Sequence, residues 1–329
     1  MRKLLLFCMT VLCCCVFASP SLCSVAQKKQ ATDDTRREAV HASDLLPVAD
    51  PIGNQLGHPD VDSVISPQCG GEVIILPPGD FAVRKSIELD GQMLIGIHGK
   101  TRLHPETGIT AIIIRSPPGI SRRWNEKYYS DVKSWAGVKG VHIIGTGQGQ
   151  GQVGIKTQGA CDQVEIASVT IQDCDGGLLM SKDSGFIRES SVTLLVCLRC
   201  GNGAIPALGI FQPYSKFGDG ANCVYFDKCR LVYSYGPAVL IRNDEKDDKI
   251  RNIRFRDCFF HMLPADAVKR FPLVVCEGQG PIAGLMVDGY FRGDDSGKVP
   301  AIKLGKATGT KFIGTFHGKA GSFGTVLVP

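Results

Sequence analysis

Apolar and polar residues alternate in short segments that recur between Val169 and Asp266. VTIQDC, VTLLVC, VYFDKC and IRFRDC end at Cys174, Cys197, Cys229 and Cys258. In every copy the residues five and three before the cysteine are apolar: Val169/Ile171, Val192/Leu194, Val224/Phe226 and Ile253/Phe255. A period of two inside a repeat of roughly 20–50 residues predicts stacked strands, one coil per repeat. The apolar pairs should face a shared core, and their alternates the outside. Those alternates are Thr170/Gln172, Thr193/Leu195, Tyr225/Asp227 and Arg254/Arg256, with His142 preceding the outer ladder and Met286/Asp288 following it. Val141/Ile143 and Leu285/Val287 extend the inner ladder, and strands around 301–304, 311–316 and 325–328 finish the array.

The segments between strands support this reading. The 39 glycines suit a turn-rich solenoid, and no long helical periodicity interrupts it. Residues 27–66 are polar and punctuated by proline and glycine, which predicts a linker and N-terminal cap with a short helix over Asp34 to Leu46. A cap is expected because an open coil end exposes unpaired strand groups. Three longer insertions, Arg115 to Gly137, Phe211 to Asn222 and Arg242 to Arg251, each precede a strand of the same register and should leave one edge of the array.

From Gly70 to Pro105 the chain reads GGEVIILPPGDFAVRKSIELDGQMLIGIHGKTRLHP. A glycine pair, a strand, Pro-Pro-Gly and a further Leu-x-Gly strand resemble the first turns of the pectin-lyase-like superfamily. The resemblance covers roughly Cys69 to the C-terminus. It implies an all-β, single-stranded right-handed parallel β-helix over 67–329. It does not imply one activity, because that superfamily includes lyases, hydrolases, epimerases, phage tailspikes and adhesins.

Composition narrows the setting. Hydrophobic residues make up 43% and charged residues 21%, enough for a packed core. The net charge of +5 is mild, and no RNA-binding aromatic motif, helix-turn-helix or zinc-finger spacing appears, so nucleic acid is not an expected partner. Arg2 and Lys3 precede an apolar run from Leu4 to Phe17, followed by Ala18. This reads as a secretory signal peptide over 1–18, with cleavage as late as residue 26, and predicts a secreted or envelope protein without a membrane span after cleavage. Four of the 14 cysteines precede Ala18. Cys174, Cys197, Cys229 and Cys258 share one position per aligned copy and should stack as buried thiols whose parallel side chains do not suit a disulfide.

Candidate chemistry collects on the later part of the outer ladder. Tyr225, Asp227, Arg254 and Arg256 should form one patch on adjacent coils. The insertions contribute Trp124, Trp135, Arg122, Arg123, Tyr128 and Tyr214. Aromatic faces stack on sugar rings, and arginines pair with uronic carboxylates or sulfates. An extracellular polysaccharide or glycan is therefore the expected partner. Asp227, Arg254 and Arg256 are candidate catalytic residues for a lyase-like β-elimination, and the other seven are candidates for substrate binding. A non-catalytic adhesion protein and a glycoside hydrolase are the alternatives. By the resemblance, a calcium-dependent pectate lyase would carry a Trp-Ile-Asp-His stretch, which this chain lacks. Arg115-Ser116-Pro117-Pro118 only loosely resembles that family's arginine–proline motif, so no metal or cofactor is expected. A polygalacturonase-like site would need stacked carboxylates. Asp266 resembles one of them without a partner, while His261, Asp175 and Asp294-Asp295 read as turn residues.

Overall fold

The computed structural model describes residues 40–41, 60–61, 73–115, 136–183, 185–212, 221–247, 249–263, 269–294, 298–318 and 326–327. The chain divides into two units, 1–38 and 39–329, and every described residue belongs to the second. The signal-peptide reading and most of the linker lie outside the described residues. At Val40–His41 the chain is extended and pairs in parallel with Ile74 and Ile75, so these two residues add a strand where a helix was expected.

The described residues form a parallel β-helix, as the sequence predicts, and contain no α-helix. Each full coil contributes to three strand faces. The first face includes Val73–Ile75, Met93–Ile95, Gly137–Lys139, Glu165–Ala167 and Asn222–Asp227. The second includes Thr101–Pro105, Val141–Ile144, Thr170–Gln172, Val196–Leu198 and Arg230–Val232. The third includes Thr110–Arg115, Gly176–Met180, Leu208–Gln212, Val239–Asn243 and Val274–Gly278. Ile250–His261 runs through the first and second faces without a break.

Alternation builds the core. On the first face Ile74, Leu94, Val138, Ile166, Val192, Phe226, Phe255 and Val287 stack coil upon coil and are buried. On the second face Ile143, Ile171, Cys197, Leu231, Phe260 and Phe291 do the same. The third face is apolar on both sides. Ile112, Leu178, Leu208 and Val274 belong to the main core, while Leu179, Leu240, Val275 and Phe211 form a second buried cluster. Runs such as TAIIIR and GGLLM therefore lack alternation, as expected of strands covered on both faces.

The corners explain where the simple alternation fails. Ser168, Leu194, Lys228 and Asp257 turn the chain from the first face to the second with φ of 53–56°. Asp173, Arg199 and Tyr233 make the next corner with φ of 52–56°. Such left-handed residues are uncommon outside glycine and hold here because their amides are used. The amides of Ser168, Leu194 and Lys228 donate at 2.9 Å to the carbonyls of Thr193, Asp227 and Arg256 on the following coil. A corner residue places two side chains outward in succession, and the next one returns inward.

This geometry corrects the cysteine alignment. Cys229 and Cys258 follow the first corner on consecutive coils and stack on one another. Cys174 follows the second corner and stacks with Cys200. Cys197 lies within a second-face strand, opposite Ile171 and Leu231. The four thiols therefore do not form one ladder. The same in-out-out-in pattern occurs at both corners of a coil, and aligning on cysteine exchanges one corner for the other. Leu194 is consequently a corner residue, 47% exposed, and Leu195 is fully buried, the reverse of the expectation.

All eight described cysteines are free thiols. Seven are buried and Cys223 is half-buried. Burial pushes the Cys161 and Cys276 thiols up to about 12. Because the thiolate is the reactive form, brief native alkylation should label Cys223 first among these eight. The other seven should react only after denaturation. Peptide mass spectrometry reads this directly, and native labelling of Cys197 or Cys200 would contradict the buried assignment.

Candidate functional site

The expected patch is assembled on the outer side of the first face. Tyr225 and Arg254 are register partners on adjacent coils, as are Asp227 and Arg256. They alternate with the buried Val224, Phe226, Ile253 and Phe255, which fixes their outward direction. Arg256 Nε donates to Asp227 Oδ1 at 2.8 Å. The Arg256 side chain is 71% exposed and that of Asp227 22%. The Arg254 guanidinium lies 5.9 Å from the centroid of the Tyr225 ring, within cation–π range.

The ion pair sets the charge state of both partners. The hydrogen bond from Arg256 holds the Asp227 carboxyl below the usual carboxylate range. The same bond raises the already high affinity of Arg256 for its proton. Arg256 is therefore a fixed cation with its Nε anchored, a geometry that leaves its terminal nitrogens for an anion.

The ladder around the patch differs in part from expectation. Met286 follows Arg254, and Asp288 lies across a register shift between Phe255 and Cys258. His142 is on the second face, paired with Arg102 and Thr170. The column that leads to Tyr225 instead runs through Gly137, Glu165 and Ser191. Glu165 is held there by Lys139 at 2.9 Å.

Trp124, Trp135, Arg122, Arg123, Tyr128 and Tyr214 lie outside the described residues, as does Asp266. The strands that bound their loops are described. Phe211 and Arg242 are register partners, so two of the insertions leave one place in the coil. The shared origin arises because the third face ends there and the chain must cross to the first.

Other candidates have structural roles. Asp175 is buried and accepts from the Gly149 amide at 2.6 Å and from the Gly151 amide, which fixes the glycine-rich turn 145–152. Asp294 is buried, paired with Arg270, and accepts from the amides of Lys298 and Val299 at 2.8 and 3.0 Å. The His261 ring is 4.6 Å from Tyr233 and 5.9 Å from Phe259. Phe259 and Tyr290 stack at 4.9 Å with an interplanar angle of 3°, spending ring faces on each other rather than on a ligand. No group of three or more His, Cys, Asp or Glu is placed to hold a metal ion among the described residues.

One cluster escaped the sequence reading. Asp80, Arg102, His104 and His142 share the outer side of the second face over three coils. Their signal is the alternation in TRLHP and VHII. The unequal lengths of these coils conceal that Arg102 and His142 are neighbours.

No protein-family model matches the chain, and no curated protein matches it. Among solved structures, the ORF18 protein of Geobacillus virus E2 is similar at a TM-score of 0.60 and 15% identity. That match covers 92% of this chain and 62% of the viral protein, so the chain spans less than two thirds of the viral protein's length. DFA-IIIase from Arthrobacter chlorophenolicus A6 matches at a TM-score of 0.38 and 16% identity, over 88% of this chain and 91% of that one. The A-module of the mannuronan C-5 epimerase AlgE4 from Azotobacter vinelandii matches at 0.33 and 12%, over 88% and 100%. The viral match shows a shared fold, and the described residues form a parallel β-helix.

Proposed function

We propose that this protein binds an acidic polysaccharide across its first face, outside the cytoplasm. The observation that carries the reading is the in-register placement of Arg254 on Tyr225 and of Arg256 on Asp227. Coils repeat at about 4.8 Å. Two guanidinium groups on one coil, backed by an aromatic ring and a carboxylate on the previous coil, suit carboxylates or sulfates borne by successive sugars. Asp227 orients Arg256, Arg254 supplies the second cation, and Tyr225 adds an apolar ring edge beside it.

The reaction best suited to this patch is β-elimination. Arg256 would neutralise the uronate carboxylate, and Arg254, in its neutral guanidine form, would take the C5 proton as the C4–O4 bond breaks and pass that proton to the departing O4. Pure binding, as in an adhesion protein, is the second reading, and the fixed protonation of Arg256 favours it. Hydrolysis would need two carboxyl groups about 5–9.5 Å apart, whereas Asp227 is committed to Arg256.

Titration with oligouronates tests the proposal. Arg254→Gln and Arg256→Gln should each weaken binding about tenfold, the loss expected for one charge-assisted contact. Affinity should also fall with added salt. A rise in absorbance from an unsaturated product would identify a lyase, and binding without that product would identify an adhesion protein. Unchanged affinity in both variants would overturn the assignment of the first face.

A further inference from the structure

The second face carries the cluster left unused above. Asp80, Arg102 and His142 are successive register partners, and they alternate with the buried Phe81, Leu103 and Ile143. Arg102 Nη1 lies 3.3 Å from Asp80 Oδ2, and His104 Nε2 lies 2.9 Å from Asp80 Oδ1. His98 is at the adjoining corner, with Nδ1 3.0 Å from the Ser168 carbonyl oxygen. His142 is half-buried and shares a side-chain hydrogen bond with Gln172. Its Nε2 is buried and has no hydrogen-bond partner. Leaving a buried polar atom unmet is costly, so a ligand that meets it gains affinity.

The local charge is unbalanced in a pH-dependent way. The groups acting on His142 are Arg102, His104 and His98, all cationic or able to become so. The carboxylates of Asp80 and Asp173 are already engaged. Asp80 serves Arg102 and His104, and Asp173 is held by Arg199 at 2.6 and 2.7 Å and by Gln172 at 2.9 Å. Arg102 keeps 45% of its side chain exposed, so the cluster has a solvent-facing cation at its entrance.

We propose that Arg102, His142 and His98 form a pH-gated subsite for an oxyanion, the carboxylate or sulfate group of an acidic glycan. In the free protein, burial first, and then the charge of Arg102 with those of His104 and His98 when protonated, hold His142 below its ordinary value. A bound anion reverses the sign of that field. His142 then takes up a proton and donates from Nε2, while Arg102 supplies the permanent charge. Proton and anion binding are thus linked, and each strengthens the other. The subsite fills as pH falls toward the depressed value of His142. The sign for stability is the opposite without ligand. A histidine with a depressed folded value loses stability as pH falls from that ordinary value through the folded one, and the anion restores it.

The test is calorimetric titration of the full chain at about pH 5.5 and 7.5, the two sides of the ordinary histidine value. Oligouronate and sodium sulfate are the probes, in two buffers of different ionisation enthalpy. Binding should be about tenfold tighter at the lower pH, with uptake of close to one proton. Arg102→Gln and His142→Gln should each abolish that gain, while Arg254→Gln should leave it intact. A response to sulfate defines a single-oxyanion site, and a response to oligouronate alone defines a sugar carboxylate within a longer subsite. Imidazole NMR of the unsubstituted protein provides a readout independent of the variants, and the His142 ring signal should move with the bound probe. Equal affinity at both pH values, no proton uptake, or an unmoved His142 signal would overturn the proposal. Because Arg254→Gln acts at both pH values and Arg102→Gln only at the lower one, failure of this subsite is separable from failure of the first-face reading.

Discussion

Replacing Phe255 with alanine should destabilise the protein by about 3–5 kcal/mol, the usual range for an aromatic removed from a core. Phe255 is 1% exposed. Its ring stacks on Phe226 at 4.4 Å with an interplanar angle of 8°, and meets the edge of Phe260 at 6.0 Å. Each aromatic pair adds about 0.5–1.5 kcal/mol beyond the area it buries. In a repeat array each coil is stabilised by its two neighbours, so a hole in one coil weakens two interfaces. Phe255→Leu should recover part of the loss. Leu194→Ala is the control, since its side chain is 47% exposed at a corner and should change stability by no more than about 0.5 kcal/mol. Urea unfolding monitored by circular dichroism measures all three. A loss below about 1 kcal/mol for Phe255→Ala would mean that this ring is not a core element.

Asp294→Ala should cost a comparable amount, about 3–5 kcal/mol, because it strands a mostly covered cation. Asp294 is 1% exposed and its side chain shows no accessible surface, while that of Arg270 shows 11%. One carboxylate serves Arg270 through Oδ1 and the amides of Lys298 and Val299 through Oδ2. Its removal leaves a guanidinium and two backbone donors without their acceptor. Asp294→Asn keeps one carbonyl acceptor and should lose less. Replacing both members of the pair, Asp294→Ala with Arg270→Met, should cost less than Asp294→Ala alone, since no charge is then left buried. A double variant that is less stable than Asp294→Ala would show that the penalty comes from lost packing rather than from the stranded charge.

The first-face patch was legible because its residues occur in strands of nearly equal context. VYFDKC and IRFRDC are 29 residues apart and align without a gap, so Tyr225, Asp227, Arg254 and Arg256 fall into register by inspection. The ion pair and the cation–π contact then follow from adjacency. The subsite around Arg102 was not legible. Asp80 and Arg102 are 22 residues apart and Arg102 and His142 are 40 apart, because an insertion lies between them. Nothing in local alternation counts the residues of a loop.

Sequence alone determined the architecture. Alternating apolar pairs, glycine-rich turns and a repeat of irregular length leave a coil of parallel strands as the arrangement that buries every apolar stripe. The sequence also specified the composition of the first-face patch, since inward and outward are opposite states of one period of two. Only the tertiary structure decided which corner each cysteine follows, because both corners of a coil use the same in-out-out-in pattern. Only it placed Leu195 inside and Leu194 outside. A left-handed corner inverts the alternation, and the energy that selects its position lies in amide-to-carbonyl bonds between coils, which no single segment contains.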